Sequence, residues 1–468
     1  MRAQSVPNSS STDTLVVKGG LLATDYAVFP GDIVIRGGKI VAILSPEEGC
    51  QVDGEMIDVS GKLVLPGGID PHCHFRSETE DFMNGTMGAA AGGITTVIEM
   101  PQGEPPVTDL DSLVAKLNRA RPQAVVDFGL WGSAVPDNLD QIPALFAHGV
   151  SGVKAFMPLS SILLEPSLPP LDTAQLWVAM QKVAEVGGVI GVHAENSELV
   201  CYLEQRMLAR DRLDPAAHME ARSPLAEYLA LEQAITLAED TGAALHIVHL
   251  TIARGAARIM QSKERGSNVT AETCPSYLLM DSDDYLQMGP YAKVLPPLRS
   301  RGNVEELWGH VLREEIDFFA SDHAPYTQKA VEAGEKDIWQ APNGVASNQV
   351  MLPMLLDEAV NRRGLSLDAF ARLSSTNAAR RFGLYPKKGT ILPNSDADLA
   401  IYELNDPWTV DQEKLFSRQK RTPMHGRECK VRLERTLVRA MTVFQDGEIC
   451  AQPGFGEFVK PLKRDVRE

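Results

Sequence analysis

The 468-residue chain has no apolar run long enough to span a bilayer, which excludes a helical membrane anchor. Its first thirteen residues, Met1 to Asp13, are polar and serine-rich and lack the apolar stretch of a secretory signal. They read as a disordered tail. Six cysteines (Cys50, Cys73, Cys201, Cys274, Cys429 and Cys450) are scattered with no C-x-x-C spacing. That pattern excludes a disulfide framework and a cysteine-built zinc site, and it points to free thiols in a reducing compartment. Positive charge is also short: 45 Lys and Arg stand against 62 Asp and Glu, a net charge of −17 with no basic stripe. A nucleic-acid binder is thereby excluded, and the acidity reads as solubility. The expectation is a soluble, cytoplasmic protein whose partner is neither a membrane nor a nucleic acid.

What is present is ordinary globular material, 44% hydrophobic and 23% charged. The length calls for a large core plus a second unit. From Thr14 to about Leu65 the chain reads as short strands and glycine turns, with Leu15–Val17, Asp32–Arg36 and Lys39–Leu44 as the strand runs. The same texture returns at Asp398–Tyr402 and Thr436–Val443. The two end segments, 14–65 and 386–468, are therefore expected to form one small β-sandwich domain, which requires the termini to meet in space.

Residues 66–385 have a different texture. Apolar β-like runs, at Ile94–Ile98, Val125–Leu130, Val153–Met157, Val189–His193, Leu245–Leu250, Val269–Thr273 and Asp317–Ser321, alternate with helix-like stretches such as Pro224–Glu239. With the strand at His72 this makes eight runs. Eight β-runs alternating with helices predict a (β/α)8 TIM barrel of the α/β class. A doubly wound sheet is the other architecture that alternation allows.

The most telling segment is Pro66-Gly67-Gly68-Ile69-Asp70-Pro71-His72-Cys73-His74. In an extended strand His72 and His74 share one face and Cys73 points to the other. Two imidazoles at a strand end are how a rigid scaffold presents nitrogen ligands to a metal. Active residues of such barrels sit at the C-terminal ends of strands. There the chain carries Lys154 in the fourth strand, His193 in the fifth, His249 in the sixth and Asp322 in the eighth. Each has a plainer reading alone: His193 or His249 as a core histidine, Asp322 as a helix N-cap, Lys154 as a snorkelling side chain. His246, three residues before His249, cannot share its strand face and reads as structural. A buried ammonium beside metal cations would be disfavoured by desolvation and like charge, unless the amine is modified to an anion.

Together with Gly152-Val153-Lys154-Ala155-Phe156, Val192-His193-Ala194-Glu195-Asn196, Ile247-Val248-His249, Ser321-Asp322-His323-Ala324-Pro325, Lys388-Gly389-Thr390-Ile391 and Ser395-Asp396-Ala397-Asp398, the chain resembles the cyclic amidohydrolases: hydantoinases, dihydropyrimidinases, allantoinases and dihydroorotases. The likeness runs from Leu15 to about Val459. It implies two divalent metal ions bridged by a carbamylated Lys154; nitrogen and oxygen donors without thiolates suit zinc, and manganese, cobalt, nickel and iron stay open. His72, His74 and Asp322 would bind one ion, and His193 and His249 the other. Asp322 would also shuttle the proton from the attacking hydroxide to the leaving ring nitrogen. The resemblance further implies a homotetramer.

The ring is less sharply specified. Dihydropyrimidinases and D-hydantoinases carry a tyrosine five residues after the modified lysine, where this chain has Leu159. Arg76 stands where dihydroorotases clamp a carboxylate, but that family's asparagine and histidine are Gln102 and Tyr326 here. The other reading of Arg76 is a surface ion pair with Glu78 or Glu80. Ile98-Glu99-Met100-Pro101, the stretch Gly289–Arg299 and the tail Gly454–Val459 look more like L-hydantoinase and bacterial allantoinase. Glu272–Tyr277 resembles an allantoinase motif, with Ser276 replacing its histidine. In the hydantoinase pattern, backbone groups at Leu295 and Asn343 hold the amide edge of the ring. The Leu- and Pro-rich loop from Pro158 to Leu171 would then contact the substituent, which favours a substituted hydantoin over allantoin. The expectation is a hydrolase opening the cyclic amide bond of a five-membered ureide ring. A dihydroorotase-like enzyme and a catalytically silent scaffold are the alternatives.

Overall fold

The computed structural model describes residues 14–46, 48–103, 105–158 and 168–462. The tail expected at Met1–Asp13 lies outside the described residues. Eight strands, all parallel to their neighbours, follow one another around a barrel in chain order: β1 (Gly68–Cys73), β2 (Ile94–Glu99), β3 (Asp127–Ser133), β4 (Gly152–Phe156), β5 (Val189–His193), β6 (Ala244–Ile247), β7 (Val269–Thr273) and β8 (Phe318–Phe319). Nearly every strand residue is buried, because helices cover the outside and side chains fill the inside. An order without reversal, with the last strand returning to the first, is a barrel and not a doubly wound sheet.

The return from β8 to β1 rests on a few bonds. Cys73 and His323 form a parallel bridge, and the His74 N–H donates to the His323 carbonyl at 2.8 Å. Buried Asp70 on β1 accepts from the Ser321 N–H at 2.9 Å and from its hydroxyl at 2.5 Å. The helices are cut to length by local chemistry. The predicted helix at Pro224 runs Pro224–Thr241, capped by the Ser223 side chain and ended by Gly242 at φ 71°, a conformation glycine adopts without strain.

The two chain ends build a nine-stranded mixed sheet. Leu399–Glu403 lies antiparallel to Leu63–Pro66, and this pairing joins the ends. Thr14–Ala23 changes partner midway: Leu15–Lys18 pairs with Glu55–Asp58, and Leu21 and Leu22 pair with Leu63 and Val64. The shift falls between Val17 and Gly20, with Gly19 at φ 78°. The sheet so bent closes over its own apolar core of Val17, Leu22, Ile33, Ile35, Ile57, Val64, Leu399 and Leu437.

The C-terminal end segment also reaches the N-terminal side of the barrel. Phe128 on β3 bonds Glu457 and Val459 through the backbone at 2.9 and 2.8 Å, which explains the Gly454–Val459 motif. Buried Asp127, the first residue of β3, meets Asp396 and Asp398 around the Lys388 ammonium, with Asp398 at 2.8 Å and Asp396 at 3.0 Å. Arg439 also pairs with Asp127. The five described cysteines are free. No helix among the described residues is long and apolar enough to cross a membrane.

Candidate metal centre and substrate cavity

At the opposite, C-terminal end of the strands a cavity of about 470 Å³ opens. Its wall includes His72, His74, Lys154, His193, His249 and Asp322, so the six ligand positions expected from sequence meet at one place. His72 and His74 have ring centroids 5.2 Å apart, His72 and His249 5.4 Å, and His193 and His249 4.6 Å. His249 (φ 40°) and Asp322 (φ 45°) hold left-handed backbone conformations that side chains other than glycine rarely adopt. Such strain is retained where the surrounding structure needs the side chain aimed in one direction.

The hydrogen bonds fix which nitrogens face the cavity. His72 Nδ1 is bonded to the Glu272 carboxylate, so its proton sits there. Its Nε2 then presents a lone pair to Asp322 Oδ1 at 3.3 Å. His74 Nε2 lies 3.2 Å from the same oxygen. Likewise His193 Nε2 donates to Glu195 Oε2 at 2.6 Å, leaving Nδ1 for a ligand. Burial pushes the pKa of His72, His74, His193 and His249 down, which keeps the imidazoles neutral. Lone pairs of neutral imidazoles converging on a carboxylate oxygen suit a cation between them. The ligand atoms of His72, His74 and Asp322 lie within 4.8 Å of one another and could hold a metal ion. Burial also pushes the Asp322 carboxyl up.

Lys154 is fully buried, and its Nζ makes no hydrogen bond or ion pair among the described residues. Its Nζ lies over the Phe156 ring, 5.1 Å from the centroid. Desolvation lowers its ammonium to about 8. A buried amine whose charged form is disfavoured by desolvation and which lacks a carboxylate partner is suited to modification rather than to ion pairing.

Behind these residues lies a layer of carboxylates that stand in the sequence motifs with no role assigned to them. Glu272 on β7 bonds His72 Nδ1, His246 Nε2 at 3.1 Å and the His249 N–H at 3.2 Å. Three interactions hold its charge well below the usual carboxylate range despite burial. A single acid inside an apolar barrel strand, on the same face as the histidines of β1 and β6, was the available signal. Glu195 is held at about 2, chiefly by Arg222, against the effect of burial. Metal-binding histidines commonly lean on such acceptors. His246, expected to be structural, is buried between Thr270 and Glu272 and stacks on Phe318 away from the cavity.

Arg76, Leu295 and Asn343 all line the cavity. Arg76 donates to the Tyr326 hydroxyl and sits 5.2 Å from that ring centroid. Glu80, one of its two expected surface partners, is instead buried against Ser417, the Arg418 N–H and His323. Gln102 stands on the same wall. Of the loop expected to meet the substituent, Pro158 lines the cavity and Leu168 and Leu171 are buried. Leu159 and the rest of that loop to Ser167 lie outside the described residues.

Residues 63–443 match the amidohydrolase family. The chain is 40% identical to the allantoinase of Rubrobacter xylanophilus, over 96% of each chain. It is 34% identical to the L-hydantoinase of Paenarthrobacter aurescens, over 95% of this chain and 97% of that one. Among solved structures, L-hydantoinase (dihydropyrimidinase) from Arthrobacter aurescens superposes with a TM-score of 0.92, covering 96% of this chain and all of the other at 34% identity.

Proposed function

This chain belongs to the amidohydrolase family, and we propose that it hydrolyses the cyclic amide bond of a five-membered ureide ring, of the hydantoin or allantoin type. The observation that carries the reading is the convergence of two imidazole nitrogens on one Asp322 carboxylate oxygen, at 3.3 and 3.2 Å, on the wall of the cavity. On this reading His72, His74 and Asp322 would hold one divalent metal ion and His193 and His249 a second, and Lys154, carbamylated by carbon dioxide with loss of a proton, would add carboxylate-like donors to the site. Zinc is the ion the nitrogen and oxygen donors suit. When bound, the ions supply Lewis-acid polarisation of the scissile carbonyl and lower the pKa of the attacking water.

The chain's own groups do the rest. Asp322 takes a proton from the water as its oxygen adds to the carbonyl carbon. The same carboxyl then returns the proton to the ring nitrogen as the C–N bond breaks. The products are a carboxylate and the freed ureido nitrogen on one opened chain. Backbone groups at Leu295 and Asn343 orient the amide edge of the ring. Glu272 and Glu195 fix the tautomers of His72 and His193. The reading carries a cytoplasmic homotetramer whose partner is the small-molecule substrate.

A dihydroorotase-like activity is the second reading, and the position of Arg76 on the cavity wall favours it. Turnover of purified, metal-loaded protein on hydantoin, 5-substituted hydantoins, allantoin, dihydrouracil and dihydroorotate separates the two. Opening of hydantoins or allantoin is expected. Preference for dihydroorotate would make Arg76 a carboxylate clamp, and no turnover on any ring would favour the silent scaffold.

A further inference from the structure

Beyond the metal-ligand set the cavity is also lined by Glu204, His218, Arg222, Lys293 and Trp339, here called its arm. Apart from Lys293, inside the Gly289–Arg299 stretch, none of these stands in a sequence motif. Arg222 links the arm to the centre: its Nη1 donates to Glu195 Oε2 at 2.6 Å, the oxygen that also receives His193 Nε2. Its Nη2 donates to Glu204 Oε1 at 3.3 Å. The guanidinium is thus balanced by two carboxylates and is not a spare cation for a charged ligand.

His218 is the informative residue. It is 1% exposed, and its Nδ1 lies 2.8 Å from the Tyr285 hydroxyl. Burial keeps that phenol protonated, so the hydroxyl donates and Nδ1 accepts. Burial and the neighbouring Lys293, Arg222 and Arg299 cations keep the imidazole neutral. A neutral imidazole that accepts at Nδ1 carries its proton at Nε2. This N–H is buried and has no acceptor among the described residues, an uncommon state for a donor in a folded protein. Around it the arm is rigid. Lys293 Nζ donates to the Ile338 and Ala341 carbonyls at 2.7 and 2.6 Å. Trp339, between those two anchor points, donates from its indole to the Arg212 carbonyl at 2.9 Å. Its ring stands 6.0 Å from that of His218, nearly perpendicular.

We propose that this arm is the subsite for the ring substituent, and that it selects a planar polar group bearing both a carbonyl and N–H bonds, such as a ureido group, over an alkyl or aryl one. The inference rests on the cyclic-ureide reading above. The His218 Nε2–H donates to the substituent carbonyl, Glu204 accepts from its N–H groups, and the Trp339 indole borders its plane. An apolar substituent would strip water from His218 and Glu204 and return no hydrogen bond. A carboxylate substituent would meet the charge of Glu204. This places the substituent against polar side chains, whereas the composition of the 158–171 loop alone favoured an apolar one.

The test compares kcat/KM on hydantoin, 5-ureidohydantoin (allantoin) and 5-isopropylhydantoin, for metal-loaded wild type, His218→Leu and His218→Gln. Wild type is expected to favour the ureido ring over the isopropyl ring. His218→Leu should lower kcat/KM on the ureido ring about 10- to 100-fold more than on unsubstituted hydantoin. His218→Gln, which keeps an N–H, should recover part of the loss. A wild-type preference for the isopropyl ring, or an equal loss on all three rings in His218→Leu, overturns the proposal. Absence of ring opening in wild type would count against the reaction itself, so binding is read separately. Calorimetric titration of allantoin onto metal-loaded Asp322→Asn, with and without His218→Leu, should show weaker binding in the double variant. Equal affinity, or none in either protein, overturns the subsite whatever the turnover assay gives.

Discussion

Both ends of the barrel gather three ligand-type side chains around a lysine, and the two clusters are opposites. At the N-terminal floor, Asp127, Asp396 and Asp398 close on the Lys388 ammonium, with Arg439 as a second cation. The anions hold the Lys388 proton on, above the ordinary lysine range. At the C-terminal mouth, His72, His74 and Asp322 converge just as closely, but their lysine, Lys154, is pushed down to about 8 and has no ion-pair partner among the described residues. Proximity of ligand atoms therefore does not by itself mark a metal site. The floor already contains its cation and has become a structural joint between the C-terminal end segment and β3. The mouth presents neutral nitrogens and one carboxylate beside a lysine whose ammonium burial disfavours and no carboxylate pairs with among the described residues, an arrangement that could hold a metal.

The sharpest way to break this comparison is to delete each lysine. Lys154→Ala should abolish turnover, by about 1,000-fold or more if the carbamate bridges both ions. It should also remove much of the bound metal by elemental analysis while the fold persists. Full activity in that variant would sink the carbamate bridge. Lys388→Met should do the reverse. It leaves three buried carboxylates with fewer cations, a change expected to cost about 3–5 kcal/mol of stability. Denaturant unfolding would read that loss, and metal content per folded protein should stay at the wild-type level. If Lys388→Met lost metal and kept its stability, the roles assigned to the two ends would be exchanged.

Glu272→Gln sharpens the comparison at smaller scale. The glutamate carries no ligand role of its own yet touches His72, His246 and the His249 backbone. Loss of its charge should weaken metal binding about 10- to 100-fold in a chelator competition assay. Unchanged metal affinity with lowered stability would assign Glu272 to the barrel core alone.

The mouth was more legible in sequence than the layer behind it. His72, His74, His193, His249 and Asp322 sit at strand ends, where a barrel's geometry turns linear spacing into convergence. Strand order alone then brings them together. The barrel and the joined end segments followed from the alternation of apolar runs and from the return of strand texture after Asp398. Glu272 stands in a recognisable motif, but its role is not legible there because a strand residue is judged by its own run. Its partners lie on β1 and β6, 200 and 26 residues away. His218 and Arg222 stand at a helix end with no recurring spacing, and only the packing of that helix against Tyr285 and Glu195 gives them a direction. The floor motifs, Lys388 and Asp396 to Asp398, were read as family marks. Their reason is electrostatic, since one buried ammonium needs several anions from separate segments.

The smallest expected effect is also the one that separates the two ends by pH. His74, His218 and His249 are held well below the ordinary histidine value of 6.5 by burial. Each takes up a proton on unfolding wherever the pH lies between its folded and unfolded values. Their contribution to stability is complete above about 6.5 and is lost as the pH falls below it. Lys388 has the opposite sign. Its raised folded value gives a contribution that is complete below the ordinary lysine range and is lost only as the pH rises through the folded value. In metal-stripped protein the histidine loss should lower Tm between about pH 7 and 5.5 by calorimetry, offset in part by Asp70 and Glu99, whose carboxyls burial raises to about 7. Lys388→Met, though less stable throughout, should show the same slope in that window, and His218→Leu should show a shallower one. A slope that vanished in Lys388→Met and persisted in His218→Leu would place the acid-sensitive groups at the floor.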